Sequence, residues 1–212
     1  MPAELLKVST EAPDTTSLRY ACDFIQRGQV VGVPTDTFYG LAADPFNLAA
    51  VEQIYRIKGR PEARALPILV NSIEQARTLS REIPDNFLKL ARSFWPGSLT
   101  LLVDASQSIP MKVTANTGRV ALRWANSKIV RALIELLEVP ITGTSANITG
   151  FAACTNAEQL VKQLGERLPL ILDSGETGAT LASTIVDLRG DRWHIIREGI
   201  ITEADIRATL ES

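Results

Sequence analysis

Five cationic side chains each follow or end a segment of regular apolar pattern. They are Lys58, Arg60, Arg119, Arg123 and Arg197. Arg119 and Arg123 bound one short apolar segment, so the alternation of a strand directs both to the same face. An arginine fork pairs with phosphate or carboxylate at two points, and lysine supplies a compact charge. The five could hold a triphosphate, or a carboxylate beside one; alternatively, most of them are solvated surface charges.

A group of hydroxyls follows the apolar run at residues 29–33, which stops at Pro34. Thr35, Thr37 and Tyr39 resemble the polar lining of a small-molecule pocket. The alternative is ordinary turn chemistry with one packed aromatic ring. The segment alone does not decide between the two.

Further hydroxyls occur downstream. The predicted turn at residues 144–147, Thr-Ser-Ala-Asn, offers hydroxyls, an amide and backbone N–H groups in the compact arrangement that anions favour. An Asx or Ser turn with a purely local role is the alternative. Ser183 opens an apolar segment, where it could present its hydroxyl to a ligand. The alternative is that the residue is there only because it suits a strand.

Apolar periodicity predicts the elements that position these groups. Helices are expected from the hydroxyls at 15–17 to a stop at Gly28, and over 48–57, 73–79, 87–94, 129–137, 157–164 and 203–210. Strands are expected over 29–33, 66–70, 99–103, 120–123, 168–172, 183–188 and 193–196. No repeat or flexible linker divides them. The pattern predicts one mixed α/β domain over residues 1–212.

Several chemistries lack their sequence signatures. There is no G-x-x-x-x-G-K-[ST] or G-x-G-x-x-G phosphate motif, and no H-E-x-x-H or G-x-S-x-G. The single histidine, His194, lies in a predicted strand, where a structural role is expected, so a Ser-His-Asp triad and a multi-histidine metal site are disfavoured. Cys22 and Cys154 are too few for a disulfide scaffold. No metal-ligand set is predicted.

Composition describes an ordinary globular protein. The 212 residues are 45% hydrophobic and 22% charged, with a formal net charge of -2 and a mean hydropathy of +0.07. This charge argues against a surface that coats nucleic acid, although it leaves room for a local basic pocket. No apolar run approaches the roughly 18 residues of a membrane span. The N-terminus has no secretion-signal pattern, so a cytoplasmic location is expected.

Seven short motifs together resemble the YrdC-like (TsaC) family of threonylcarbamoyl-AMP synthases. They are PTDTFYGLA (34–42), KGRP (58–61), FWPGSLTLL (94–102), VALR (120–123), TSAN (144–147), STIVD (183–187) and REG (197–199). Each is weak alone, but they follow the family order and extend over residues 15–200. The resemblance implies the short, single-domain form, with a twisted mixed sheet curved around a positively charged cavity and helices outside.

The resemblance also implies a reaction. ATP, L-threonine and bicarbonate would give threonylcarbamoyl-adenylate and pyrophosphate, which makes the chain a nucleotidyltransferase. The product would feed the threonylcarbamoyl modification of the adenosine beside the anticodon of tRNA, through later-pathway transferase proteins. Mg2+ is expected, held mainly by the ATP phosphates and water.

Residue roles are carried over by motif position. The implied threonine site comprises Thr37, Tyr39, Arg123 and Ser183. The implied catalytic residues are Lys58 and Arg60. The implied nucleotide site comprises Lys58, Arg60, Arg64, Arg119, Gly143, Ser145, Asn147 and Arg197. Two positions depart from the pattern: Arg64 stands where relatives often carry asparagine or lysine, and Ala153 where they often carry serine.

Two other functions compete with the synthase. One is a non-catalytic module that binds double-stranded RNA or tRNA in the same basic cavity; the net negative charge disfavours it. The other is a related carbamoyl-handling enzyme with a different acceptor, which the absence of an attached acylphosphatase-like or zinc-finger segment disfavours.

Overall fold

The computed structural model describes residues 2–59 and 64–211. Its helices are α1 (Thr15–Gln26), α2 (Leu48–Lys58), α3 (Ile73–Leu79), α4 (Asp85–Phe94), α5 (Lys128–Leu137), α6 (Ala157–Leu164) and α7 (Glu203–Glu211). Its strands are β1 (Glu4–Lys7), β2 (Val31–Val33), β3 (Gly40–Ala42), β4 (Ile68–Leu69), β5 (Leu99–Asp104), β6 (Arg119–Arg123), β7 (Ile141–Thr142), β8 (Thr144–Ser145), β9 (Leu170–Asp173), β10 (Thr184–Arg189) and β11 (Arg192–Arg197).

The strands form two mixed sheets, which confirms the predicted α/β class. The first sheet has the order β1-β9-β2-β3-β8, and the second has the order β11-β10-β5-β6-β4-β7. β10 runs parallel to β5, and β6 runs antiparallel to β5. The helices lie on the sheets: Leu18 and Ile25 of α1 and Leu133 of α5, for example, pack into one apolar core with β2. Burial of one such side chain stabilises the folded state by about 1.5–3 kcal/mol.

The helix ends follow the local sequence. The side chain of Asp14 accepts hydrogen bonds from the backbone at the start of α1, and that of Asn47 does so for α2. α2 ends at Gly59, whose φ of 55° lies in the left-handed region that glycine adopts without strain. These caps fix both ends of α2 and so place Lys58 in its last turn.

Several predicted bounds differ from the structure. The strands expected at 29–33 and 66–70 are shorter, because their outer residues continue into turns. Residues 144–147 were predicted as a turn, but Thr144 and Ser145 form β8, which pairs with β3. β1, β3 and β7 were not predicted. In residues 2–59 and 64–211, no helix combines the length and apolar composition that a bilayer crossing requires.

Side chains on one face of the second sheet form cross-strand rows. Ile185 is in register with both Arg197 and Thr100. Leu102 is paired with Ala121, so Thr100 and Arg123, each two residues further along, face the same side of the sheet. One row therefore carries the polar residues Thr100, Arg123 and Arg197 together with Ile185. The next row carries the apolar pair Leu102 and Ala121, with Asp187 in register beside Leu102.

Candidate active site

A cavity of about 350 Å³ lies between the two sheets. The 35–39 loop, β3 and β8 border it on one side, and β4, β5, β6, β10 and β11 on the other. Its lining includes Thr35, Thr37, Tyr39, Gly40, Leu69, Thr100, Leu102, Ala121, Arg123, Gly143, Ser145, Ala153, Ser183, Ile185, Ile196 and Arg197. The cavity therefore brings together motifs that are distant in the sequence.

Arg123 is the charged side chain most firmly held at this cavity. Its Nε donates to the Gly97 carbonyl at 3.0 Å, and its Nη1 donates to Thr37 Oγ1 at 3.0 Å. Its Nη2 donates to Asp36 Oδ1 at 2.6 Å. The whole residue is only 7% exposed. The 35–37 loop and the Gly97 turn thus fix the guanidinium in one place.

Arg197 and Ser183 form a second polar group on the cavity wall. Arg197 Nη2 donates to the Ser183 carbonyl at 2.7 Å and approaches Ser183 Oγ at 3.2 Å. The Ser183 hydroxyl also bonds that of Thr100 at 2.9 Å. Desolvation of the guanidinium and, next, the positive charge of Arg123 lower the pKa of Arg197 below its usual value. An anion between these arginines would offset their repulsion.

Lys58 supports the 145–147 segment. Its Nζ donates to the carbonyls of Ser145 and, at 2.8 Å, of Asn147, and it lies 3.3 Å from Asn147 Oδ1. The residue is 3% exposed. The Ser145 hydroxyl donates to Asn147 Oδ1 at 2.6 Å. The end of α2 is therefore fastened to the segment that presents Ser145 to the cavity.

Gly143 is required by close packing. A Cβ there would lie 2.4 Å from Cγ of Leu69. Its N–H donates to the Pro67 carbonyl at 2.8 Å, which joins the β7–β8 connection to the start of β4. Any side chain at this position would have to displace the Leu69 side chain at the cavity wall.

Tyr39 lines the cavity, but its hydroxyl is hydrogen-bonded to the backbone of residues 174 and 175. The hydroxyl donates to the Gly175 carbonyl at 2.8 Å and accepts from the Ser174 N–H at 3.1 Å. Burial raises the pKa of this phenol. The residue is fully buried. Tyr39 therefore contributes a fixed wall to the site and ties the start of β3 to residues 174–175.

Among the described residues, four predicted nucleotide ligands lie outside the lining: Lys58, Asn147, Arg119 and Arg64. Arg119 bonds Asp104 and Asp187 at the other end of β6. Arg64 is exposed, and its carbonyl accepts a hydrogen bond from the Tyr55 hydroxyl at 3.0 Å. Arg60 lies outside the described residues. Thr37, Arg123, Ser183, Gly143, Ser145 and Arg197 do converge on one cavity.

Comparison with known proteins identifies the family of the chain that forms this cavity. The chain matches the sequence model of Sua5, YciO and YrdC proteins, described as "Telomere recombination", over residues 23–199. The chain belongs to the Sua5/YciO/YrdC family. The earlier resemblance is thereby confirmed.

Two curated relatives of this chain carry the name threonylcarbamoyl-AMP synthase. The Pyrococcus abyssi protein is 40% identical over 171 residues, which cover 81% of this chain and 50% of the relative. The Bacillus subtilis protein is 34% identical over 205 residues, which cover 96% of this chain and 58% of the relative. The chain thus spans about half of the first relative's length and 58% of the second's.

A solved structure matches the fold closely. The crystal structure of Pyrococcus abyssi Sua5 complexed with L-threonine has a TM-score of 0.94 and 35% sequence identity, and the match covers 98% of this chain and 61% of that one. The arrangement of both sheets is therefore that of the Sua5/YciO/YrdC fold.

Sequence reasoning missed two polar residues of this family site, Asp36 and Thr100. Both lie inside the quoted motifs, PTDTFYGLA and FWPGSLTLL. Asp36 accepts a hydrogen bond from Arg123, and Thr100 bonds Ser183. Strand alternation could have found Thr100, because it shares a face with Leu102. Nothing in the sequence pattern pairs Asp36 with Arg123.

Proposed function

We propose that this chain is a threonylcarbamoyl-AMP synthase. It would form threonylcarbamoyl-adenylate and pyrophosphate from ATP, L-threonine and bicarbonate, which is a nucleotidyl transfer. The observation that carries the proposal is the fixed Arg123 fork beside the hydroxyls of Thr37 and Ser183 in one cavity. The names of the curated relatives and the threonine bound to Pyrococcus abyssi Sua5 support it.

In this proposal threonine binds at the 35–39 loop and the polar row of the second sheet. The Arg123 guanidinium would pair with the substrate carboxylate, because a fork meets two oxygens at once. Thr37 and Ser183 would bond the polar groups of threonine, and Tyr39 would form a wall. The apolar pair, Leu102 and Ala121, would contact the methyl group.

The nucleotide would bind toward β8 and the end of β11. Arg197 carries a positive charge with which an anion would pair, and Ser145 lines the cavity. Gly143 and Asn147 would shape this side, with Lys58 holding the segment. The catalytic roles of Lys58 and Arg60 stay predictions from the family pattern. We leave Arg119 and Arg64 out of the proposed site.

The chemistry needs positioned charge more than a protein nucleophile. The threonine nitrogen forms a bond to the carbon of bicarbonate-derived CO2 and loses a proton, which gives a carbamate. A carbamate oxygen then bonds the α-phosphorus as the bond to pyrophosphate breaks. Both reactants are anions, so fixed arginines reduce their repulsion and stabilise charge on the leaving group. Holding the substrates together removes much of the entropic barrier, worth up to about 7–11 kcal/mol in well-oriented systems.

The donor set at the site fits a Mg2+ ion that arrives with ATP. Among the described residues, no three acidic, histidine or cysteine side chains cluster as a metal site. Hydroxyl residues such as Thr35 line the cavity. We propose that phosphate oxygens and water hold most of the ion's coordination positions, where the ion would neutralise phosphate charge.

The biological role we propose is supply of the activated threonylcarbamoyl group for tRNA modification in the cytoplasm. The adenylate is a mixed anhydride, so a transferase protein must accept it before water does. We propose no membrane partner.

Pyrophosphate release from ATP tests the proposed function. We expect release only when L-threonine and bicarbonate are both present, and no release with D-threonine, which has the same groups in the opposite hand. A CO2-depleted buffer provides the second control. Equal release in the absence of threonine would rule out the assignment.

A further inference from the structure

The Asp36 carboxylate lies behind Arg123. In the described chain, Asp36 is not part of the cavity lining, and its side chain is 14% exposed. Its Oδ1 accepts from Arg123 Nη2 at 2.6 Å, and its Oδ2 lies 3.3 Å from Ser98 Oγ. The carboxylate thus contacts the arginine from the protein side.

The hydrogen bonds of Arg123 leave part of its fork available. A guanidinium has five N–H donors in a fixed plane. One on Nε, one on Nη1 and one on Nη2 are directed to Gly97, Thr37 and Asp36. Each Nη therefore keeps one further N–H, and the residue lines the cavity.

We propose that Asp36 is a positioning residue that fixes the Arg123 fork for the carboxylate of the amino-acid substrate. This inference rests on the proposed function, which makes that substrate threonine. Asp36 acts through Arg123 and does not touch the substrate itself.

The charge of Asp36 has a second consequence. Arg123 and Arg197 face the same cavity and carry like charges. Desolvation and, next, the charge of Arg123 lower the pKa of Arg197. Asp36 offsets the charge of Arg123 from behind and so keeps its guanidinium in place while the site is empty. A neutral acceptor would give a longer and weaker bond than this charge-assisted one.

The first test is Asp36→Asn, which preserves size but removes the charge. We expect kcat/KM for threonine to fall at least tenfold and KM for ATP to change less than twofold. Asp104→Asn is the control, since Asp104 pairs with Arg119 at the other end of β6 and outside the cavity. We expect the control to keep wild-type values for both substrates. A proportional loss for both substrates in Asp36→Asn would overturn the proposal.

The second test is a double-mutant cycle. If Asp36 acts through Arg123, then Asp36→Asn has no further effect on kcat/KM for threonine once Arg123→Met has removed the guanidinium that Asp36 holds. An equal fold-loss in both backgrounds would show that Asp36 acts on its own and would overturn the proposal. If Asp36→Asn does not fold, Asp36→Ser enters the same cycle.

Calorimetric binding of L-threonine separates this inference from the proposed function. If the wild type binds threonine but releases no pyrophosphate, the synthase assignment fails. The Asp36 inference is then tested by the same double-mutant cycle, with the Kd for threonine measured in place of kcat/KM. If the wild type neither binds threonine nor turns over, both proposals fail.

Discussion

Arg119 and Arg123 stand at opposite ends of β6 and point to the same face, yet their surroundings differ. Arg119 donates to Asp104 Oδ1 at 2.6 Å, to the carbonyls of Leu102 and Leu188, and to Asp187. Within residues 2–59 and 64–211, Arg123 pairs with one carboxylate, that of Asp36, and it borders a cavity.

The difference shows how strand neighbours assign roles to equivalent residues. Beside Arg119, β10 supplies Asp187, which is 1% exposed and also accepts from Arg189. Beside Arg123, the corresponding neighbours are Thr100 and Ile185, which leave space. We infer that the Arg119 end stabilises the fold, whereas the Arg123 end binds a ligand.

The largest expected effect is on stability at the Arg119 end. Asp187→Ala should lower the free energy of unfolding by about 3–5 kcal/mol, because it leaves Arg119 with fewer partners in a low-dielectric site. Urea unfolding would measure it. The kcat of the folded fraction should stay at the wild-type value. A loss of activity larger than the loss of folded protein would contradict the contrast between the two ends.

Next in size is the loss of ligand binding at the Arg123 end. Arg123→Lys keeps the charge but loses the planar fork, and we expect kcat/KM for threonine to fall about a hundredfold, which corresponds to about 2.7 kcal/mol. Initial rates of pyrophosphate release would measure it. Arg119→Lys is the control, with a reduced Tm and an unchanged KM. If both lysine variants lost activity alike, position on β6 would not separate the roles.

How far the sequence predicts this contrast depends on the type of pattern. Alternation correctly indicates that Arg119 and Arg123 share a face, and helical periodicity gives α3 and α6 with both ends correct. It could not show that β10 lies beside β5, because strand neighbours depend on the whole topology. Asp187 was therefore not recognised as a partner of Arg119.

The sequence predicted many residues of the candidate site but not their arrangement in space. Motif positions identified Thr37, Arg123, Ser183 and Arg197, which line the cavity together. β3 and β8 are too short to show a period of two, so pattern alone gave no basis for placing the 35–39 loop against β8. Asp36 was missed because a turn aspartate usually has a local role.

A smaller effect is expected at Arg197. Arg197→Gln removes a charge that repels Arg123 in the empty cavity. We expect kcat/KM for ATP to fall about tenfold, on the order of 1.4 kcal/mol, while Tm does not fall. Thermal unfolding and pyrophosphate release would measure the two quantities. A lower Tm with unchanged kinetics would make Arg197 a structural residue like Arg119.

The smallest effect is expected at Asp104, the exposed partner of Arg119. Its side chain is 55% exposed, so water screens the pair although the two atoms are only 2.6 Å apart. Asp104→Asn should reduce the free energy of unfolding by about 0.2–1 kcal/mol, and less at high salt. Urea unfolding at low and high ionic strength would measure this. A loss as large as that of Asp187→Ala would mean that Asp104 and Asp187 hold Arg119 equally, and burial would then not explain why this end of β6 is stable.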